Sequence, residues 1–139
     1  MAISNYKGVT DIQYQLVSAR RHHYDAMLWQ TPAISLTAQA FLLTIALGNG
    51  DPVSRLIASL LAFLAALASA QLLAKHRYFE RYNTDLLQEI EAAKQLQPVH
   101  ERPPEVPGVV GWSSYRVWLI LLLVFAAAAV VAAYMAISK

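Results

Sequence analysis

Histidines are the side chains of this sequence best suited to acid–base chemistry or to metal binding. His22 and His23 are adjacent, so on a helix their side chains point about 100° apart and do not readily face one ion. Neither the H-x-x-x-H nor the H-E-x-x-H spacing occurs, and the absence of cysteine removes thiolate ligands and nucleophiles. The sequence therefore predicts no metal site and no cofactor. For His22, His23 and His76 it leaves two alternatives, a pH-sensitive contact or a solvated position at a membrane interface.

The motifs of other catalytic sites are missing as well. The sequence has no Gly-rich phosphate loop, no nucleophile elbow and no pair of carboxylates spaced for catalysis. The formal net charge of +2 is too small to indicate a nucleic-acid partner. We therefore expect a protein that is not an enzyme and that binds no nucleic acid.

Three polar residues of the first long apolar run lie seven positions apart: Gln30, Thr37 and Thr44. This spacing places them along one line of a helix, here called the polar seam. In lipid, such side chains face other protein or a water-filled cavity. Two interpretations stay open: hydrogen bonding between packed helices, and the lining of a pore formed by several copies.

A basic cluster follows the second apolar run, and it consists of Lys75, Arg77 and Arg81. Each cation near an anionic leaflet contributes about 1 kcal/mol of attraction. We expect these residues to contact lipid headgroups, with the binding of one specific nucleotide or lipid as the alternative.

The elements that position these residues follow from the distribution of charge. Hydrophobic residues make up 57% of the 139 residues, and charged residues only 14%. No Asp, Glu, Lys or Arg occurs in 26–50, 56–74 or 117–138, and about 20 helical residues cross a bilayer core. The sequence predicts an all-α integral membrane protein with three transmembrane helices.

An amphipathic N-terminal helix is expected to lead into the first span. Thr10 and Gln13 have the spacing of a capping box, which starts a helix. Pro32 removes a helical hydrogen bond just inside the span, which predicts either a kink or a restart. The apolar face of the N-terminal helix comprises Ile12, Leu16, Ala19, His23 and Met27.

The sequence "GNGDP" predicts a sharp turn between the first two spans. Gly48 suits a left-handed helix C-cap, Asp51 an N-cap, and Pro52 the first turn of the next helix. The first two spans are therefore expected to form an antiparallel hairpin.

The second span continues without a helix breaker. No Gly or Pro occurs from Val53 to Gln97, so one helix is expected to cross the membrane and to continue from about Lys75 as a cytoplasmic stalk. One face of the stalk is predicted to bind other copies or a protein partner. This face comprises Phe79, Tyr82, Leu86, Ile90 and Ala93.

The expected organisation has three parts. Residues 1–97 hold the N-terminal helix, the hairpin and the stalk, residues 98–112 form a Pro-rich linker, and residues 113–139 form the third transmembrane helix. Of the 11 Lys and Arg residues, nine lie on the side of the N-terminus and two on the other side. The positive-inside rule then predicts a cytoplasmic N-terminus and a C-terminus outside.

The segment "SARRHHYDAMLWQ", the two-span hairpin and the helix "AKHRYFERYNTDLLQEIEAA" together resemble the SLATT domains, over about residues 10–97. These are bacterial two-span membrane modules with a cytoplasmic helical extension, associated with nucleotide-signal synthetases and sensors in conflict systems. The resemblance implies a place in the bacterial inner membrane, contact with membrane lipids, and a role as a pore-forming or membrane-perturbing effector of antiviral defence. The linker and the third span depart from this pattern, and no catalytic residue is carried over.

Two functions are therefore expected to compete. One is a self-associating inner-membrane protein, whose homo-oligomer forms a pore or disturbs the membrane. The alternative is a non-catalytic accessory or scaffold subunit, which docks a larger membrane complex through the stalk.

Overall fold

The computed structural model describes residues 6–100 and 113–138, and this part of the chain folds into three helices. Helix α1 is Asp11–Leu47, α2 is Pro52–Lys94 and α3 is Ser114–Ile137. Each of them is long and apolar enough to cross a bilayer, which identifies a multi-pass membrane protein. Residues 101–112, which hold most of the predicted linker, and residue 139 lie outside the described residues.

Helix α1 is continuous from the N-terminal segment into the first span. It starts at the predicted capping box, where the Thr10 amide donates to Gln13 Oε1 over 2.9 Å and the Gln13 amide donates to Thr10 Oγ1 over 3.3 Å. Pro32 lies buried inside this helix of 37 residues. A restart at Pro32 is therefore excluded. The amphipathic N-terminal segment is the first part of α1 rather than a helix of its own, because one lost backbone hydrogen bond does not outweigh the helix on both sides.

The turn between α1 and α2 is held by Asp51 and by a buried arginine. The Asp51 carboxylate accepts a hydrogen bond from the Ser54 amide over 2.9 Å, so the predicted N-cap is confirmed. Arg55 is buried, and its Nε donates to the carbonyl oxygen of Ala46 over 3.0 Å. The cation thus satisfies one of the last carbonyls of α1 and faces the negative end of the helix dipole.

Glycine suits position 48 because backbone carbonyls lie close to it, and not because the residue has a positive φ. The predicted left-handed conformation does not occur at this residue. A Cβ atom there would instead lie 3.2 Å from the carbonyl oxygen of Thr44 and 3.4 Å from that of Ile45. A larger residue would therefore push against the last turn of α1.

Helix α2 ends at Lys94, before the predicted end at Gln97. Gln95 takes a left-handed conformation with φ at 55°. The chain then reverses, and the Leu96 amide donates to the Glu91 carbonyl over 2.9 Å. This is the long hydrogen bond of a Schellman motif, which ends a helix by satisfying one of its last carbonyls.

Internal contacts divide the chain into two units, and α1 and α2 each contribute to both. The three-helix unit contains residues 28–74 and the described part of 112–139. Its buried apolar side chains form two clusters: Leu28 with Leu73 and Leu122, and Ala46 with Ala58 and Ala132. Small residues let helix backbones approach closely. Such close packing stabilises helix association in a membrane, because lipid is as apolar as the protein interior and supplies no hydrophobic driving force.

Replacing Gln39 with leucine is expected to leave the three-helix unit equally stable or more stable, by up to about 1 kcal/mol. Gln39 is completely buried. Its Nε2 donates to Ser35 Oγ over 2.6 Å, but its Oε1 has no hydrogen-bond partner among the described residues. A buried acceptor without a partner opposes folding, and leucine lacks that acceptor while filling a similar volume. The Ser35 hydroxyl loses its bond from Gln39, but it can donate to a carbonyl of its own helix.

Unfolding of the full chain in mixed detergent micelles measures this change. Ser59→Ala is the control, because the buried Ser59 hydroxyl donates to the carbonyl of Arg55 over 2.8 Å and therefore has a partner to lose. We expect the Ser59 variant to be destabilised and the Gln39 variant not to be. Destabilisation by Gln39→Leu as large as that by Ser59→Ala would contradict the orphaned acceptor.

Candidate functional site

The second unit, here called the helical pair, is the most polar packed region of the described chain. It contains residues 6–27 from the start of α1 and residues 75–100 from the end of α2 onwards. Unlike the usual helix pair, its interior includes many polar side chains. The buried face of α2 in this unit consists of Glu80, Asn83, Thr84, Leu87, Ile90, Glu91 and Ala93.

A charged network joins the two helices through Glu80. Arg77 Nη1 donates to Glu80 Oε2 over 2.7 Å, and Arg21 Nη2 from α1 lies 4.0 Å from Glu80 Oε1. Arg21 Nε also donates to the hydroxyl of Thr84 over 2.9 Å. Two guanidinium groups therefore share one buried carboxylate, which fixes the rotation of α1 against α2.

A second network surrounds the carboxylate of Glu91, which is 2% exposed. The Tyr14 hydroxyl of α1 donates to Glu91 Oε1 over 2.7 Å, and His100 Nδ1 lies 2.5 Å from the same oxygen. The Val99 amide donates to Glu91 Oε2 over 3.1 Å. Gln88 Nε2 donates to the backbone carbonyl of His100 over 2.7 Å, so a second side chain of α2 holds His100.

These contacts shift the pKa values of Glu91 and Tyr14. Burial alone would raise the pKa of Glu91, but the hydrogen bonds that its carboxylate accepts from His100, Tyr14 and the backbone outweigh burial and lower that pKa. Burial and the hydrogen bond to the charged Glu91 raise the pKa of Tyr14 to about 12. Glu91 therefore stays ionised, and Tyr14 stays a donor, across the neutral range.

An aromatic cluster lies at the other end of the helical pair. The ring of Tyr24 stacks on that of Phe79, with centroids 5.2 Å apart, and lies 6.1 Å from the ring of His76. Burial lowers the pKa of His76, with a further contribution from the charges of His23 and Lys75. His76 is thus a packed residue that favours its neutral form, whereas His23 is exposed.

The polar seam lies on the outward face of the three-helix unit. Gln30, Thr37 and Thr44 are all exposed there. The hydroxyls of the two threonines donate to carbonyls one turn earlier in their own helix, over 3.0 and 2.9 Å. Their hydrogen bonding is therefore met locally, and Gln30 is the member of the seam whose amide projects without such a bond among the described contacts.

The three residues of the basic cluster have different surroundings. Lys75 and Arg81 are exposed, as headgroup contacts require. Arg77 instead pairs with Glu80 inside the helical pair. The sequence did not indicate this role, although the i, i+3 spacing of Arg77 and Glu80 was a usable signal for an ion pair.

The predicted association face of the stalk is divided as well. Ile90 and Ala93 are buried within the chain, Phe79 and Leu86 are half-buried, and Tyr82 is exposed. The fully buried leucine is the neighbouring Leu87, which the apolar spacing did not select. Leu87 shares its helix face with Glu80, Thr84 and Glu91, so the polar residues around it obscured the pattern.

The described residues contain no group of three or more His, Cys, Asp or Glu that could hold a metal ion. The described polar side chains of the helical pair form ion pairs and hydrogen bonds around Glu80 and Glu91. Comparison of the chain with models of protein families, with curated proteins and with solved structures finds no match.

Proposed function

We propose that this chain is a non-enzymatic, self-associating protein of the bacterial inner membrane, similar in type to the SLATT domains. In this proposal the helical pair is the cytoplasmic association module, and the assembled spans form a pore or disturb the membrane. Residues 10–97 carry the resemblance, and the third long apolar helix departs from the two-span pattern.

The observation that carries the proposal is that the helical pair buries charged side chains and leaves large apolar ones exposed. Glu80 and Glu91 are buried beside Leu87. Ile12 and Leu16 of α1 are 69% and 61% exposed. Tyr78 and Tyr82 are exposed on α2. Each apolar side chain of this size loses about 1.5–3 kcal/mol when it remains in water instead of being buried. A second copy that covers these residues would recover that free energy.

The outward face of α1 in the three-helix unit supports the same proposal. Gln30 is an amide on a lipid-facing surface, and Ile34 and Phe41 lie exposed beside the seam. A glutamine on such a surface is stabilised by a hydrogen bond to a neighbouring helix, typically by about 0.6–2 kcal/mol. Self-association would supply that neighbour, and several copies could line a pore with this face.

The orientation and lipid contacts are part of the proposal. The excess of Lys and Arg on the side of the N-terminus favours a cytoplasmic helical pair and a C-terminus outside. Lys75 and Arg81, which are exposed, would then contact the anionic headgroups of the cytoplasmic leaflet.

Oligomer mass in detergent tests the proposal, with the double substitution Ile12→Ser and Leu16→Ser as the perturbation. The wild type is expected to form a homo-oligomer, and the double variant to dissociate at least about tenfold more readily. Gln15→Ser is the matched control, because Gln15 is exposed on the same helix and contributes no apolar side chain. The control should keep the wild-type mass.

A monomeric wild type that co-purifies with a larger membrane protein would support the accessory-subunit alternative instead. Membrane potential and growth during high expression separate a pore from passive association. Normal growth and potential in cells that contain the homo-oligomer would count against an effector.

A further inference from the structure

The carboxylate of Glu91 joins three parts of the helical pair. It belongs to α2, it accepts a hydrogen bond from Tyr14 of α1, and it accepts three from the residues that follow α2. Those three are the backbone amides of Val99 and His100, at 3.1 and 3.4 Å, and His100 Nδ1 at 2.5 Å. Three of the described hydrogen bonds that hold the returning chain therefore end on one carboxylate, and Gln88 Nε2 supplies a further bond to the His100 carbonyl.

We propose that Glu91, Tyr14 and His100 form a proton-operated latch, which fastens residues 98–100 to the helical pair while Glu91 is ionised and releases them when Glu91 takes up a proton. An ionised carboxylate only accepts hydrogen bonds, and it has room for all four donors. A protonated carboxyl group carries a hydrogen of its own and accepts fewer bonds. One bound proton thus weakens the contacts between the carboxylate and the returning chain, and leaves the bond from Gln88 to the His100 carbonyl as the remaining side-chain tie.

In this latch His100 Nδ1 contacts Glu91 Oε1, and the proton that opens the latch is the one that Glu91 takes up. Tyr14 is the titratable group that faces Glu91 from α1, and His100 is the one that faces it from the chain after α2. The nearby Lys94–Asp11 ion pair, at 3.1 Å, is made by the exposed carboxylate of Asp11 and does not contact Glu91.

The direction of the pH dependence follows from Glu91. Because folding lowers the pKa of Glu91, the stabilisation is fully present above the ordinary glutamate value of about 4.3 and is lost as pH falls through the lower folded value. The raised pKa of Tyr14, about 12, means that this donor is lost only above that pH. The latch is therefore closed at neutral pH and opens in acid.

Opening changes a cavity beside the latch. The cavity has a volume of about 380 Å³ and is lined by Gln88, Glu91, Ala92, Leu96 and Pro98. Release of residues 98–100 withdraws one wall of it and exposes Gln88 and Glu91 to solvent. The device would thus alter the surface of the helical pair without involving the outward residues Ile12 and Leu16.

Hydrogen exchange at the Val99 and His100 amides tests the latch in the full chain in detergent. After correction for intrinsic exchange rates, protection is expected to be constant from pH 8 down to about 5 and to fall at least about tenfold at lower pH, as the bonds to the charged carboxylate are lost. Glu91→Gln should give the low protection at every pH. Glu89→Gln, which removes an exposed carboxylate from the same helix, should behave as the wild type.

Tyr14→Phe provides a second variant that keeps the ring and removes one donor. Its amides should exchange a few-fold faster at neutral pH and still respond to acid. The proposal would be overturned if Glu91→Gln left both amides as protected as in the wild type. It would equally be overturned if Glu91→Gln removed protection from the whole of α2, since Glu91 would then be a residue of the fold and not of a local latch.

Discussion

Replacing Leu87 with alanine is expected to lower the free energy of unfolding of the helical pair by about 2–5 kcal/mol. The Leu87 side chain is 0% exposed, so its removal leaves a cavity as well as losing buried apolar area. Leu86→Ala is the matched control, since it changes the same residue type one position away, where the side chain is half-buried. It should cost about 1 kcal/mol.

Native-state hydrogen exchange of the α2 amides in the full chain measures both changes, because the helical pair then reports its own opening. A larger loss for Leu86→Ala than for Leu87→Ala would mean that the apolar face predicted from the sequence, and not the face seen in the structure, packs on α1.

Removal of the Glu80 carboxylate should have the second-largest effect. Glu80→Ala leaves Arg21 and Arg77 close together without their shared anion. Breaking a fully buried ion pair costs about 3–5 kcal/mol, and here we expect about 2 kcal/mol, because both arginine side chains are 27% exposed and water screens them in part.

A double variant distinguishes the loss of the ion pair from the loss of side-chain packing as the cause of destabilisation. If Glu80→Ala destabilises by leaving cations unpaired, adding Arg77→Leu should recover part of the loss, and this coupling is read from a double-mutant cycle. Glu89→Ala is the control for loss of a glutamate from the exposed face of α2. Additive effects of Glu80→Ala and Arg77→Leu would show that the two side chains do not interact.

Local signals in the sequence predicted the starts of α1 and α2 and the presence of three long apolar helices. The capping box of Thr10 and Gln13 and the N-cap at Asp51 involve residues three apart, so their hydrogen bonds are determined by nearby sequence alone. The three charge-free runs predicted three apolar helices, because each run is about as long as a helix that crosses a bilayer core.

The rotation of the helices could not be predicted in the same way. Apolar periodicity selects a face that includes Tyr82 and Leu86, which are exposed and half-buried. Phe79 of that face does stack on Tyr24 of α1. The fully buried leucine of this segment, Leu87, lies instead beside Glu80 and Thr84. The residues that decide between these faces are Arg21 and Tyr14, which lie more than 60 positions earlier in the chain. Their contacts satisfy buried polar groups, and a pattern of hydrophobicity contains no information about such pairs.

The polar seam shows a second limit of sequence patterns. A spacing of seven aligned Gln30, Thr37 and Thr44, and the structure places all three outward. A threonine hydroxyl, however, can bond to the carbonyl four residues earlier, and both threonines do so. Whether an intramembrane threonine needs a partner helix is thus decided by its rotamer, which spacing does not reveal.

The left-handed Gln95 also has a consequence for the order in which the helical pair assembles. By reversing the chain directly after α2, it keeps the Gln88 and Glu91 contacts to Val99 and His100 within 8–12 positions of sequence. Closing so short a loop takes about 10–100 ns, whereas Tyr14 must reach Glu91 across 77 positions. The contacts between the end of α2 and residues 99–100 can therefore form before α1 arrives. The Tyr14 hydroxyl of α1 then binds a Glu91 carboxylate that is already held in place.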